Sequence, residues 1–249
     1  MEKLNKYCLR LADNAFILSH RLGEYSSKGP YLEEDLALTN IALDLIGQAD
    51  ALYEYVSKLF NDGRSEDDFA YKRPENEYLN FQIVEQENKD FAYIMVRQFF
   101  MDIYNHALYE GLSKSKDPTL SAVAIKSLKE ITYHKRRSSE WIIRLGLGTD
   151  ESKERTQNAI DNLWKFTGEL FETDEVELEL CRLNVCPDMN DIKKTWTKEV
   201  HKIFDFAKLD VPSNNYMISG GRNGFHSEYM GFIISEMQYL NRTYPDAIW

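Results

Sequence analysis

Apolar positions along this chain recur mostly at steps of three and four, the period of a helix face, with polar residues between them. The clearest case lies between Tyr31 and Lys58. Leu38, Ile41, Leu45, Ala49, Leu52 and Val56 keep that period and Leu59 extends it. Pro30 suits a first helical position, and Glu33, Glu34 and Asp35 complement the positive end of the dipole. The pattern predicts a helix of about seven turns.

A first helix is expected over 4–25, with Leu4, Cys8, Leu11, Ala15, Leu18 and Leu22 as its stripe. No carboxylate falls on that stripe; Asp13 and Asn14 lie off it. The short break Ser26–Pro30 then turns the second helix antiparallel beside the first. Residues 61–89 are polar, contain Gly63 and Pro74, and show no sustained helical period. They read as a crossover long enough to travel the length of a bundle.

Residues 90–112 form a third helix, apolar almost all the way round and therefore deeply buried. Asp117 and Pro118 cap and open a fourth helix that reaches Leu145. Its stripe is Leu120, Ala124, Ser127, Ile131, His134, Ser138, Trp141 and Leu145. Three further helices are expected at about 150–170, 190–208 and 225–242, with 172–190 irregular. The expected fold class is all-α. Two antiparallel pairs joined by one long crossover is the connectivity of a ferritin-like four-helix bundle. The expected organisation is one domain over 1–249, with a core bundle at about 4–146 and flanking helices at about 150–243.

The chain has 249 residues and a formal net charge of −11, which argues against a nucleic-acid partner because phosphate binding wants a basic face. Cys8, Cys181 and Cys186 are odd in number and match no zinc spacing, so reduced thiols are expected. No apolar run reaches the roughly 18 residues of a membrane helix, and the first residues have no signal-peptide architecture. A cytoplasmic location is expected.

The candidate chemistry lies at the middle of the second helix. Four-helix proteins that bind a carboxylate-bridged di-iron pair take Glu-x-x-His from two helices and one carboxylate from each of the other two. Here Leu45 stands in the Glu position and Gln48 in the His position, with Asp44 beside them. The fourth helix keeps His134, but Ile131 fills its Glu position and Glu130 sits one residue, about 100°, away. Asp102 on the third helix is the remaining carboxylate. Three ligand positions hold the wrong residue type, so these residues read as the degenerate relic of a di-iron site, a buried polar network holding no metal. A single adventitious cation on Asp102, Glu130 and His134 is the intermediate case. His106, four residues after Asp102, suggests a local hydrogen bond between the two. His20, His201 and His226 stand alone, and no Ser, His and Asp arrangement supports nucleophilic catalysis. Lys135, Arg136 and Arg137 form a basic cluster, either a solvated face or a patch for a partner or an anionic CoA substrate.

The stretches LEEDLALTNIALDLIGQA, DFAYIMVRQF, KEITYHKRRSSEWIIRLGLGT and FHSEYMGFIISEMQYLNRTYPDAIW resemble the C-type component family (PaaC) of bacterial phenylacetyl-CoA epoxidase complexes. The resemblance covers nearly the whole chain; 172–190 match least. It implies a monooxygenase complex whose catalytic A-type component holds the di-iron centre and epoxidises the aromatic ring, while a reductase delivers electrons from NADPH. The C-type component is implied to be a structural, metal-free partner of the A-type one, with no catalytic or cofactor-binding residues of its own. Two other readings stay open: a self-sufficient ferritin-like di-iron oxidase, and a helical interaction protein unrelated to oxygenases. In the partner reading, Phe232, Ile233, Met237 and Leu240, with Tyr239, Tyr244 and Trp249, form a contact element; otherwise they close the chain's own core.

Overall fold

The structure is a computed structural model that describes residues 2–213, 216–245 and 247. Those residues form helices joined by turns and loops and contain no strand. The packing defines two compact units, residues 1–87 with 220–249, and residues 88–219.

In the first unit, α1 (Glu2–Glu24) and α2 (Leu32–Phe60) pack along each other. Tyr53 reaches Asp13, and Thr39 reaches Ser26. Each pair sums to nearly the same number, which is the register of antiparallel helices. The α2 stripe is buried from Leu38 to Val56. Its start is later than expected: Tyr31 is the N-cap, so Pro30 precedes the helix and does not open it. Asn61 ends α2 in the left-handed region, its N–H donating to the Ser57 carbonyl.

The crossover holds two short helices, α3 (Glu66–Tyr71) and α4 (Gln82–Glu85). A capping box on Ser65 and Asp68 starts α3. Single turns like these carry too few apolar residues to show a period. The same unit takes α10 (Glu228–Met237) and α11 (Tyr239–Thr243). One helix was expected there. It breaks at Gln238, whose side chain is bound inward to the Arg73 carbonyl and the Tyr78 hydroxyl.

In the second unit, α5 (Phe91–Leu112) and α6 (Pro118–Gly146) also run antiparallel. Phe91 meets Trp141 edge-on near one end, and Arg137 approaches Met95. Asp90 and Asp117 cap the two helices through the N–H groups of Tyr93 and Leu120. Around them pack α7 (Asp150–Leu163) and α9 (Met189–Ala207), and α8 (Glu175–Arg182) lies between these two in the chain. Phe99, Phe100, Trp164, Phe171, Trp196 and Phe204 form an aromatic core, and the Trp196 indole donates to the Phe100 carbonyl at 3.0 Å. Gly146 lets α6 end against α9: a Cβ there would stand 2.4 Å from the Ala207 carbonyl oxygen.

The helix α8 corrects the expected irregular segment. Asp174 and Glu177 cap it reciprocally, but only Val176 and Leu180 make an inward apolar pair, and the exposed Leu178 interrupts the period. Among the described residues no helix is long and apolar enough to cross a membrane. Cys8, Cys181 and Cys186 are free thiols.

Candidate functional site

The two units each bury a set of charged side chains. In the second unit the residues are Asp102, His134 and their neighbours. Asp102 is 2 % exposed on α5; His134 and Ser138 are buried on α6. The Gln98 amide donates to Asp102 Oδ1 at 2.7 Å, one turn back along α5. Burial pushes the Asp102 carboxyl up to about 6; His134, Ser138, Gln98 and Arg137 pull the other way. Asp102 Oδ2 and Gln98 Oε1 have no hydrogen-bond partner among the described residues.

This arrangement changes three expectations. Asp102 bonds Gln98, four residues before it, and not His106, which turns instead to Glu110 at 3.5 Å. Glu130 is half-buried and acts on a different neighbour: its charge adds to the burial that raises the Tyr109 hydroxyl well above its usual value. The basic cluster also divides. Arg137 is buried, Lys135 sits 3.8 Å from Glu199, and Arg136 remains exposed over the Tyr133 ring. These three residues therefore do not present one cationic face.

Of the other ligand positions, Leu45 and Ile131 are buried hydrocarbon, Gln48 is buried amide, and Asp44 is half-buried. A di-iron pair needs hard oxygen donors with an imidazole per iron, and hydrocarbon supplies neither. Among the described residues no three His, Cys, Asp or Glu side chains come together closely enough to hold a metal ion.

The first unit holds clusters that the pattern of apolar residues did not show. Asp13 is fully buried on α1, where the stripe had left it on the outside. It accepts from both terminal nitrogens of the Arg73 guanidinium, from the Tyr53 hydroxyl at 2.5 Å and from the Leu79 N–H at 2.8 Å. Arg73 also donates to the carbonyls of Phe69 and Glu77. Burial opposes its charge, but the Asp13 carboxylate more than restores it and holds Arg73 above the usual arginine value. Burial likewise raises Tyr53, and pushes Tyr78 up to about 12.

A second cluster gathers on Glu85, which is 0 % exposed. His226 Nδ1 lies 2.5 Å from Glu85 Oε1, and its Nε2 lies 2.9 Å from the Tyr78 carbonyl. Both ring nitrogens face acceptors, so the geometry calls for the doubly protonated imidazolium. Asn80 and both the N–H and hydroxyl of Ser227 complete the shell of Glu85. His226 is thus not a lone histidine. Nor is this a nucleophilic constellation: the Ser227 hydroxyl donates to the carboxylate and not to the ring, so nothing activates it. Arg21 adds a bond to the Glu85 carbonyl at 2.8 Å.

Sequence reasoning missed Asp13, Arg73, Glu85 and His226 as members of buried pairs. Their partners lie 60 and 141 residues apart, in a segment without a helical period. The one available signal was a high density of charged residues in a long segment that also bears Tyr and Phe, which is weak. Chemically, the internal bonds of these clusters tie the crossover and the α10 segment to α1 and α2.

Comparison with known proteins agrees over the full length. Residues 1–249 match the family described as Phenylacetic acid catabolic protein. The chain is 43% identical over 249 residues to the C-type component of the 1,2-phenylacetyl-CoA epoxidase of Escherichia coli strain K12, covering 100% of both sequences.

Proposed function

Because this chain belongs to the Phenylacetic acid catabolic protein family, we propose that it is a non-catalytic structural subunit of a phenylacetyl-CoA epoxidase complex in aerobic phenylacetate degradation. The observation that carries the reading is the end-to-end likeness to a relative named as the C-type component of that epoxidase. Hydrocarbon at Leu45 and Ile131 and an amide at Gln48 support it. In this reading the four long helices α1, α2, α5 and α6 descend from a ferritin-like bundle with one crossover, and the iron site has been filled by packing residues. The di-iron centre belongs to a companion A-type subunit, and NADPH serves the complex through a reductase. Neither cofactor is held by this chain. The protein works in the cytoplasm.

The polar clusters support a structural role. The donors and acceptors that fix Asp13, Arg73, Glu85 and His226 all come from within the chain. These bonds are spent on the fold and not on a substrate.

The test is co-expression with an A-type subunit. The two chains should co-elute on size-exclusion chromatography. This chain alone should carry far less than one iron after iron-replete expression and should not turn over phenylacetyl-CoA with reductant and oxygen. Two tightly bound irons per chain, or turnover by the isolated chain, would sink the structural reading.

A further inference from the structure

The first unit also carries a cleft that its polar clusters do not occupy. Helices α1, α2 and α10 border an open cleft of about 490 Å³, lined on the apolar side by Ala42, Leu43, Ile46, Phe232, Ile233 and Met237. Ala42 and Ile233 are buried at its floor, while Leu43 and Phe232 stand 62% and 69% exposed on its rim. Single exposed leucines are ordinary; a set gathered around a cleft is not. Leu36 and Leu32 lie further along α2 from Leu43 at helical spacing, and Tyr239 follows Phe232 by seven residues. All three are more than half exposed.

Charge narrows the occupant. The first unit has 20 acidic and 11 basic side chains. Glu24 and Glu236 are exposed carboxylates on the cleft, and Glu33, Glu34 and Asp35 interleave with Leu32 and Leu36. Arg21, the cleft's guanidinium, is engaged by Glu24 and by the carbonyls of Glu85 and Tyr229. An apolar seat with an acidic border fits a helix whose apolar anchors are flanked by Lys and Arg. A second copy of this chain fits poorly, because a two-fold contact would set the same acidic border against itself.

We propose that this cleft seats an amphipathic, basic-flanked helix of the companion subunit, with Leu43 and Phe232 as the anchors of the contact. The proposal rests on the reading of the chain as a partner subunit. The rim residues lie outside the chain's own core, so the surface can be altered without disturbing the fold.

The experiment uses the full-length chain co-expressed with the A-type subunit. Leu43→Asp, Phe232→Asp and Glu236→Lys are compared with the unaltered chain by size exclusion and by binding titration at low and high salt. Circular dichroism and thermal unfolding confirm that each variant keeps its helices. Each Asp variant should weaken binding by at least about tenfold, as expected for an anchor in a pocket. Glu236→Lys should weaken it at low salt and reduce its salt dependence. If the unaltered chain does not co-elute, the partner reading fails and the seat with it. If it co-elutes and all three variants bind as tightly, the seat alone is overturned. The seat is also overturned if Phe232→Asp abolishes self-association of this chain and leaves the complex intact, since the occupant is then a second copy.

Discussion

Asp13 and Arg73 form an ion pair shut away from solvent, with exposures of 0% and 5%. The two lie 60 residues apart, one on α1 and one in the crossover. Burying a carboxylate and a guanidinium costs more than their attraction returns unless every remaining lone pair and N–H finds a partner. Here Tyr53, Leu79 and the carbonyls of Phe69 and Glu77 provide those partners. The pair therefore specifies where the crossover lies more than it adds net stability.

Asp13→Ala is expected to cost about 3–5 kcal/mol, because it leaves the Arg73 charge buried without its counterion. The double variant Asp13→Leu with Arg73→Met should cost much less than the sum of the single variants. Urea denaturation of all three at neutral pH measures this. Additive costs would show that the pairing is not the source of the effect.

His226 links stability to pH. Burial disfavours its charge, but the hydrogen bond and charge of Glu85, the Tyr78 carbonyl and the charge of Glu75 outweigh it and raise the imidazole above 6.5. A base with a raised folded pKa contributes in full below its unfolded value and loses that contribution as pH rises through the folded value. The thermal midpoint should therefore fall as pH rises above about 6.5, the unfolded value. His226→Gln should remove this fall. A variant with the same pH profile as the unaltered chain would show that His226 is neutral in the fold.

Asp102 acts in the acid range. Its carboxyl is held at about 6 against an ordinary value of 3.8, so the folded chain holds the proton more tightly than the unfolded chain. Stability should decline as pH rises from about 4 through 6, by up to about 3 kcal/mol from this group. Asp102→Asn should flatten that decline. Denaturant midpoints taken across pH 4–7 provide the measurement.

Gly224 sits at φ 80°, and a Cβ there would stand 2.2 Å from the Asn76 carbonyl oxygen. Both the backbone conformation and the contact oppose a side chain. Gly224→Ala should destabilise by more than about 1 kcal/mol. Hydrogen exchange should also quicken over α10, the helix that this turn delivers to the first unit. Unchanged protection there would show that the neighbouring backbone yields without cost.

The sequence by itself determined the long helices, because their information is local and repeated. Six or more apolar residues at helical spacing select one buried face, and Asp90, Asp117 and Thr149 mark starts through their own neighbouring N–H groups. That Leu45 and Ile131 offer no donor atom and Gln48 no imidazole was equally legible, since residue type alone decides it. Only the tertiary structure decided which charges are buried. Asp13 lies off the apolar stripe of α1, yet the crossover covers it; Arg137 belongs to a run of three cations, yet turns inward. Glu85 and His226 meet across 141 residues. Trp249, part of the C-terminal apolar run, lies outside the described residues, whereas Ile233 and Phe232, adjacent in that run, separate into core and surface. Periodicity reports one element's own amphipathicity. It is blind to a second segment laid over its polar side, and that covering is what sets the burial and the ionisation of these groups.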